Sequence, residues 1–140
     1  MTTSTIGTSS RNYSTISAWE ADSPTDLTSS TDTWEGECYN DSEFSEAVVF
    51  SGVVADATYY TRLSAATGHS FQDHASKDTD PQLYSTTYGV ALSNNGTPIT
   101  LTNSDFTVVE RIQVKNVYSG GYTGQAAISC DGSSTGGVLR

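Results

Sequence analysis

Short runs of β-branched and aromatic residues, each closed by Asn, Asp or Gly, recur along most of this chain and limit what it can fold into. They are AVVFSGVV (47–54), TYYTRL (58–63), GVALSNNG (89–96), PITLTN (98–103), FTVVERIQVKNV (106–117), AAISCDG (126–132) and GVLR (137–140). β-branched and aromatic side chains favour a pleated, half-buried backbone, and Asn, Asp and Gly supply the turns between such strands. The unbroken apolar character of AVVF predicts a strand covered on both faces. In the longest run Val109, Ile112 and Val114 are apolar while Glu110, Arg111, Gln113 and Lys115 are polar, and the alternation changes phase at Arg111, which predicts a bulge or corner there. Spacings between the runs are too irregular to define a repeat. The expectation is all-β, either a solenoid of short strands or a β-sandwich or jelly roll.

The first third reads differently. Residues 1–12 are mostly Thr, Ser and Gly, with little to bury, and are expected to form a flexible arm, leaving 13–140 as a single β-rich domain. Ile16 and Trp19 lie three apart, Ser14 can cap, and Pro24 follows, so one short amphipathic helix is predicted. A polar loop covers 23–33, and WEGECY (34–39) alternates well enough to be a strand with one buried face. Residues 64–86, with Pro81 and several Asp, read as a long surface loop.

Composition excludes several functions. A net charge of −10 repels a phosphate backbone, so nucleic acid is not an expected partner. No run approaches the roughly 20 apolar residues that a membrane span needs. The opening MTTSTIGTSS has neither a basic nor an apolar leader segment, so synthesis in a cytoplasm is expected, with the sequons at Asn12, Asn40 and Asn95 unglycosylated. Cys38 and Cys130 show no paired spacing, and neither a disulfide nor a zinc site is inferred.

Candidate chemistry is sparse. His69, Asp73, His74, Asp78 and Asp80 are close in sequence, yet neither HExxH nor the acidic ladder of a calcium loop is present, and the segment reads as solvated. Glu35, Glu37, Asp41, Glu43 and Glu46 contain pairs that could serve glycoside cleavage, which needs two carboxyls about 5–10 Å apart. Exposed strand and turn positions take such charges anyway. The basic residues Arg11, Arg62, Lys77, Arg111, Lys115 and Arg140 do not cluster, and no GxSxG elbow exists. Tyr59, Tyr60, Tyr84, Tyr88, Tyr118 and Tyr122 leave sugar stacking open, although packing accounts for tyrosine in strands equally well. No catalytic residue, metal or cofactor is expected.

The segments RNYSTISAWEAD, WEGECYNDSEF and GHSF, followed by VVERIQVKN, resemble the N-terminal part of right-handed parallel β-helix proteins of the pectin-lyase-like superfamily, of the kind encoded among phage structural genes. The resemblance implies that Tyr13 to Ala21 form an end-capping helix and that Gly36 to Tyr39 begin the first winding. It also implies an open last strand at Val138, Leu139 and Arg140, to be covered by a neighbour or by further chain.

The function expected is therefore that of a phage virion structural protein, a capsid decoration or a fibre or tail attachment module. It would be homo-oligomeric, bind a capsid or tail protein by contact area, and have no enzymatic turnover. The expected contact residues are Thr2, Thr3, Ser4, Thr5 and Ile6 of the arm and Val138, Leu139 and Arg140 of the last strand. The alternative is the leading piece of a polysaccharide-degrading or polysaccharide-binding β-helix, with carbohydrate as its ligand.

Overall fold

The computed structural model describes residues 1–81, 83–118, 126–131 and 138–139. Its strands form three sheets in which every described pairing is parallel. The first sheet runs β1 (Thr2–Ile6), β2 (Trp34–Cys38), β5 (Thr61–Ala65), β8 (Thr107–Glu110), β11 (Val138–Leu139). The second runs β3 (Phe44–Ser45), β6 (Ala91–Asn94), β9 (Gln113–Asn116), and the third β4 (Val48–Ser51), β7 (Ile99–Thr102), β10 (Ile128–Asp131). From β2 onward the chain therefore visits first, second and third sheet in turn and repeats that circuit. The chain is all-β, and parallel pairing rules out the antiparallel β-sandwich or jelly roll that the sequence left open.

Stacking of equivalent positions builds the core. Val48, Ile99 and Ile128 lie in one row and Phe44, Leu92 and Val114 in another, while Phe50 stacks on Leu101 in a third row whose next position, Cys130, is exposed. The AVVF run is not covered on both faces: Val48 and Phe50 are buried while Val49 is 48% exposed. TYYTRL enters its strand late, because the Asp56 carboxylate accepts from the Thr58 and Tyr59 N–H groups at 2.7 and 2.8 Å and holds that stretch in a turn. At Arg111, φ is 62°, and this left-handed residue makes the corner between β8 and β9 that the phase change predicted.

Residues 1–12 are not a flexible arm. Thr2–Ile6 is β1, in register with β2 from Thr2 opposite Trp34 to Ile6 opposite Cys38. Its composition misled because a rung needs only alternate residues to face inward, and here these are Ser4 and the fully buried Ile6. The outer edge of β1 is closed by its own chain: Asn12 Oδ1 accepts from the Thr5 N–H at 2.9 Å, Tyr13 N–H donates to the Thr5 carbonyl at 3.1 Å, and Gly7 N–H donates to the Tyr13 carbonyl at 2.9 Å.

Between β1 and β2 two short helices replace the strands that this winding lacks. Helix α1 (Ile16–Ala21) is capped by Thr15, one residue after the predicted Ser14, with Thr15 Oγ1 accepting from Ala18 N–H at 3.1 Å. The Glu46 carboxylate takes the two remaining donors of the first turn, Ile16 N–H at 2.9 Å and Ser17 N–H at 3.0 Å. The Ser17 hydroxyl lies 2.5 Å from Glu46 Oε2 and 3.2 Å from the Ala47 carbonyl, so its one hydrogen is shared between two acceptors at the start of the strand that the helix covers. Its apolar face seals the core: Trp19 is fully buried, stacked on Trp34 (centroids 6.3 Å apart) and edge-on to Phe50 (6.3 Å). Gly36 is required beneath it, since a Cβ there would lie 2.8 Å from both Ile6 Cδ1 and Trp19 Cε2. Helix α2 (Leu27–Ser30) is capped by Asp26, and it docks through Leu27 N–H to the Val54 carbonyl (2.9 Å) and Val54 N–H to the Thr25 carbonyl (3.0 Å).

Two predictions follow from this closure. Trp19→Ala, which removes a buried ring and leaves a cavity against Trp34 and Phe50, is expected to cost about 3–5 kcal/mol of unfolding free energy by denaturant titration. Asp26 accepts from the Ser29 and Thr28 hydroxyls and the Ser29 N–H, and these bonds lower its pKa to about 2. A depressed carboxylate stabilises the fold above its unfolded value of about 3.9 and loses that contribution as pH falls through the folded value. Asp26→Asn should therefore melt below wild type at pH 6, with the two curves converging towards pH 2.

Candidate functional site

Strand alternation sends Thr3, Glu35, Arg62 and Val108 outward in one row of the first sheet, and Thr5, Glu37, Ser64 and Glu110 in the next. Glu35 and Glu37 thus share a face, as their spacing predicts, but they differ in setting. The Glu35 side chain is only 5% exposed and is paired with the Arg62 guanidinium, and Thr3 Oγ1 donates to its second oxygen at 3.1 Å. Arg62 also donates from Nε to Glu110 at 2.7 Å and pairs with it through a terminal nitrogen. The result is a polar ladder, Thr3–Glu35–Arg62–Glu110, that ties four successive strands of the sheet across their outer surface. The Glu37 carboxylate has no hydrogen-bond partner among the described residues.

The rest of the acidic run is also committed to holding the chain. Arg11 donates to Asp41 from Nε at 3.0 Å and from a terminal nitrogen at 3.1 Å, and its guanidinium lies 3.6 Å from the centre of the Tyr39 ring. That pairing holds the Asp41 carboxyl below its ordinary range. Hydrogen bonds from Ser93 and Tyr84 do the same for Glu43, and the Tyr84 hydroxyl, desolvated and 2.7 Å from that carboxylate, is pushed up. Glu46 caps α1. A general acid for glycoside cleavage needs a raised pKa and an open approach to the sugar, and neither Asp41 nor Glu43 offers this.

The segment 66–90 leaves the winding between β5 and β6 and crosses the outside of the second sheet. It contains a turn of 3₁₀ helix at Phe71–Asp73 and the short helix α3 (Ser76–Thr79), with Phe71 buried. Gln113 anchors its far half, accepting from Ser85 N–H at 2.8 Å and donating to the Ser85 carbonyl at 2.9 Å. A cleft of about 210 Å³ lies under it, lined by Phe71, Pro81, Leu83, Tyr84, Gln113 and Val114. The histidines diverge: His69 meets Tyr39 edge-on at 4.7 Å, and His74 stacks on Tyr88 at 4.1 Å. No group of three or more His, Cys, Asp or Glu able to hold a metal ion occurs among the described residues.

Of the expected contact residues, Ser4 and Ile6 face the core and are closed to a partner, whereas Thr2 and Thr3 are exposed. Val138 and Leu139 pair with Val108 and Val109 as β11, and Arg140 lies outside the described residues, as does Tyr122. Tyr84 has Lys115 at 5.1 Å from its ring centre and Tyr88 has His74, so each has one ring face engaged within the chain. No described helix is long and apolar enough to cross a membrane. The central role of Arg62 escapes sequence reading, because Glu35 and Glu110 become its neighbours only through the parallel register.

Removing Arg62 leaves two poorly hydrated carboxylates facing each other. Arg62→Ala is expected to lower stability by about 1–3 kcal/mol, and adding Glu35→Gln to it should restore part of that loss in a double-mutant cycle. Comparisons of the chain with protein families, curated proteins and solved structures found no match.

Proposed function

We propose that this chain is a right-handed parallel β-helix, capped at its β1 end, that serves as a structural attachment or decoration module on a phage particle. The observation that carries the reading is the closure of the β1 end. At the β1 end, Asn12 and Tyr13 occupy the strand edge, α1 covers β4 and the core, and Thr25–Leu27 pairs with Val54. Parallel strands joined by crossovers within one sheet wind right-handed in about 98% of cases, and windings stacked in this way make a stiff rod. Such a rod acts by presenting area, and its carboxylates serve as ties between windings. Along its flank, contacts to a capsid or tail protein or a second copy would come from outward groups such as Thr2, Thr3 and Val49, with Val138, Leu139 and Arg140 contributing from the last strand.

The polysaccharide reading is weaker on the same ground, since Glu35, Asp41, Glu43 and Glu46 each hold a structural bond, and one face of Tyr84 is engaged by Lys115 and one face of Tyr88 by His74. Two measurements separate the readings. The protein is expected in purified particles at a fixed copy number by quantitative mass spectrometry, and it should release no reducing ends from a panel of acidic and neutral polysaccharides. Absence from particles, or sugar release that Glu35→Gln and Glu37→Gln abolish, would overturn the proposal.

A further inference from the structure

We infer that Asn95 is a site of spontaneous covalent modification: in the folded protein its side-chain amide reacts with the backbone nitrogen of Gly96, loses ammonia and becomes a mixture of aspartate and isoaspartate. The pair sits in the corner 95–98 that joins β6 to β7. Gly96 has φ 146°, a conformation that residues with a Cβ rarely adopt, so the corner itself calls for glycine after Asn95. Lacking a side chain, Gly96 also leaves its N–H unscreened. Asn95 is exposed, and among the described residues neither its side chain nor the Gly96 N–H has a hydrogen-bond partner. Nucleophile and target carbon are therefore both free, and the chain already holds them as neighbours. The other five asparagines are placed differently. Asn12 Oδ1 accepts from the Thr5 N–H and hydroxyl, and the next N–H, that of Tyr13, donates to the Thr5 carbonyl. Asn116 Oδ1 accepts from Tyr118 N–H at 2.8 Å, and the Val117 N–H is taken by the Asn94 carbonyl at 2.9 Å. Asn40 Nδ2 donates to the Thr87 carbonyl at 2.9 Å. Asn103 precedes Ser104, which is fully buried with its hydroxyl 2.5 Å from that of Thr107, and Asn94 precedes a residue whose Cβ crowds the attacking nitrogen.

The reaction balances with water alone. The Gly96 nitrogen gives its proton to solvent and bonds to Asn95 Cγ, while the Cγ–Nδ2 bond breaks and Nδ2 takes a proton from solvent and leaves as ammonia. The product is a succinimide ring. Water opens it on either side of the shared nitrogen: opening at Cγ leaves aspartate, and opening at the main-chain carbonyl leaves isoaspartate, whose main chain runs through Cβ and Cγ and is one atom longer. Either product adds one negative charge at the corner where the second sheet passes into the third. The corner is held at its ends. The Asn94 carbonyl accepts from Val117 N–H at 2.9 Å, the Pro98 carbonyl accepts from Val48 N–H at 2.8 Å, and Leu92 and Ile99 are fully buried on either side. The extra atom is thus confined to residues 95–97, and the modified protein keeps its fold.

Incubation of the full chain at pH 8 and 37 °C beside the free peptide of residues 93–97 tests this, with digestion and fragmentation mass spectrometry to locate each product and to separate aspartate from isoaspartate. Position 95 of the folded chain should convert at a rate within about tenfold of the peptide, the most that one hydrogen bond held against the reaction would impose. The other five asparagines should stay intact over the same period. Asn95→Ser, which removes a side chain without partners, should fold normally and release no ammonia. The converted protein should melt at the temperature of the starting material. Conversion slower than that limit, conversion led by another asparagine, ammonia release that persists in Asn95→Ser, or a lowered melting temperature after conversion would each overturn the inference.

Discussion

Seating Trp19 in the space left by Gly36 is the contact on which the rest of this structure depends. A stack of parallel windings has an end, and at that end both the apolar core and the backbone groups of the last strands face water. An indole fills the core opening in one piece, and it reaches that position only because the residue below it lacks a Cβ. Ser4 continues the same inward row on β1, small again where the indole crowds the wall. Further along the same row, Leu63 and Val109 regain full size. The taper in side-chain volume along Ser4, Gly36, Leu63 and Val109 is thus an imprint of the cap on the sheet it covers.

Polar groups complete the closure in a way that a strand would otherwise provide. Glu46 and Thr15 satisfy the opening turn of α1, and the Ser17 hydroxyl shares its hydrogen between Glu46 and the Ala47 carbonyl, so helix and strand edge are tied through side chains. This explains why a chain with a net charge of −10 tolerates carboxylates close to its core. Buried charges persist where each has a donor, and removing one partner strands the other. Here Arg62 serves two carboxylates from adjacent strands on either side, and Arg11 serves Asp41 while lying on Tyr39. Few cations are needed because most donors are hydroxyls and backbone N–H groups.

What the sequence made legible was local. The β-branched runs marked the strands, Ile16 and Trp19 marked the helix face, and the phase change at Arg111 marked a corner, because each signal is written in neighbours along the chain. What depended on register was hidden. The partners of Arg62 lie far away in sequence, and the windings differ in length, with Glu35 opposite Arg62 but Arg62 opposite Val108, so no fixed period pointed to them. Thr2–Ile6 read as a frayed arm because propensity sees a polar, Thr-rich stretch, whereas pairing with β2 and the return of Asn12 and Tyr13 supply what composition lacks. Glu35 read as a solvated charge for the same reason: outward on a strand means exposed only until a guanidinium from the next winding lies across it.

The unequal windings also account for the difference between the three faces. In the first sheet successive strands can be tied by long charged side chains, since outward positions stack at the strand spacing of about 4.8 Å. In the second sheet the extra residues 66–90 come out at the corner after β5 and lie over Ser93 and Lys115, so that face is built from the chain's own cover, with Tyr84 set between Glu43 and Lys115. Among the described residues neither a charged ladder nor an inserted cover is seen on the third sheet. Its outward positions on β4 and β7 are Val49 and Thr100 in one row and Ser51 and Thr102 in the next, short and uncharged, and β10 continues these rows with Ser129 and Asp131. A bare strip of this kind needs no salt-bridge ladder because it buries its stability inward, through the rows headed by Val48 and Phe50. The length of the insertion at each corner therefore sets how a face is stabilised, and the inward rows stay the same whichever solution the outside adopts.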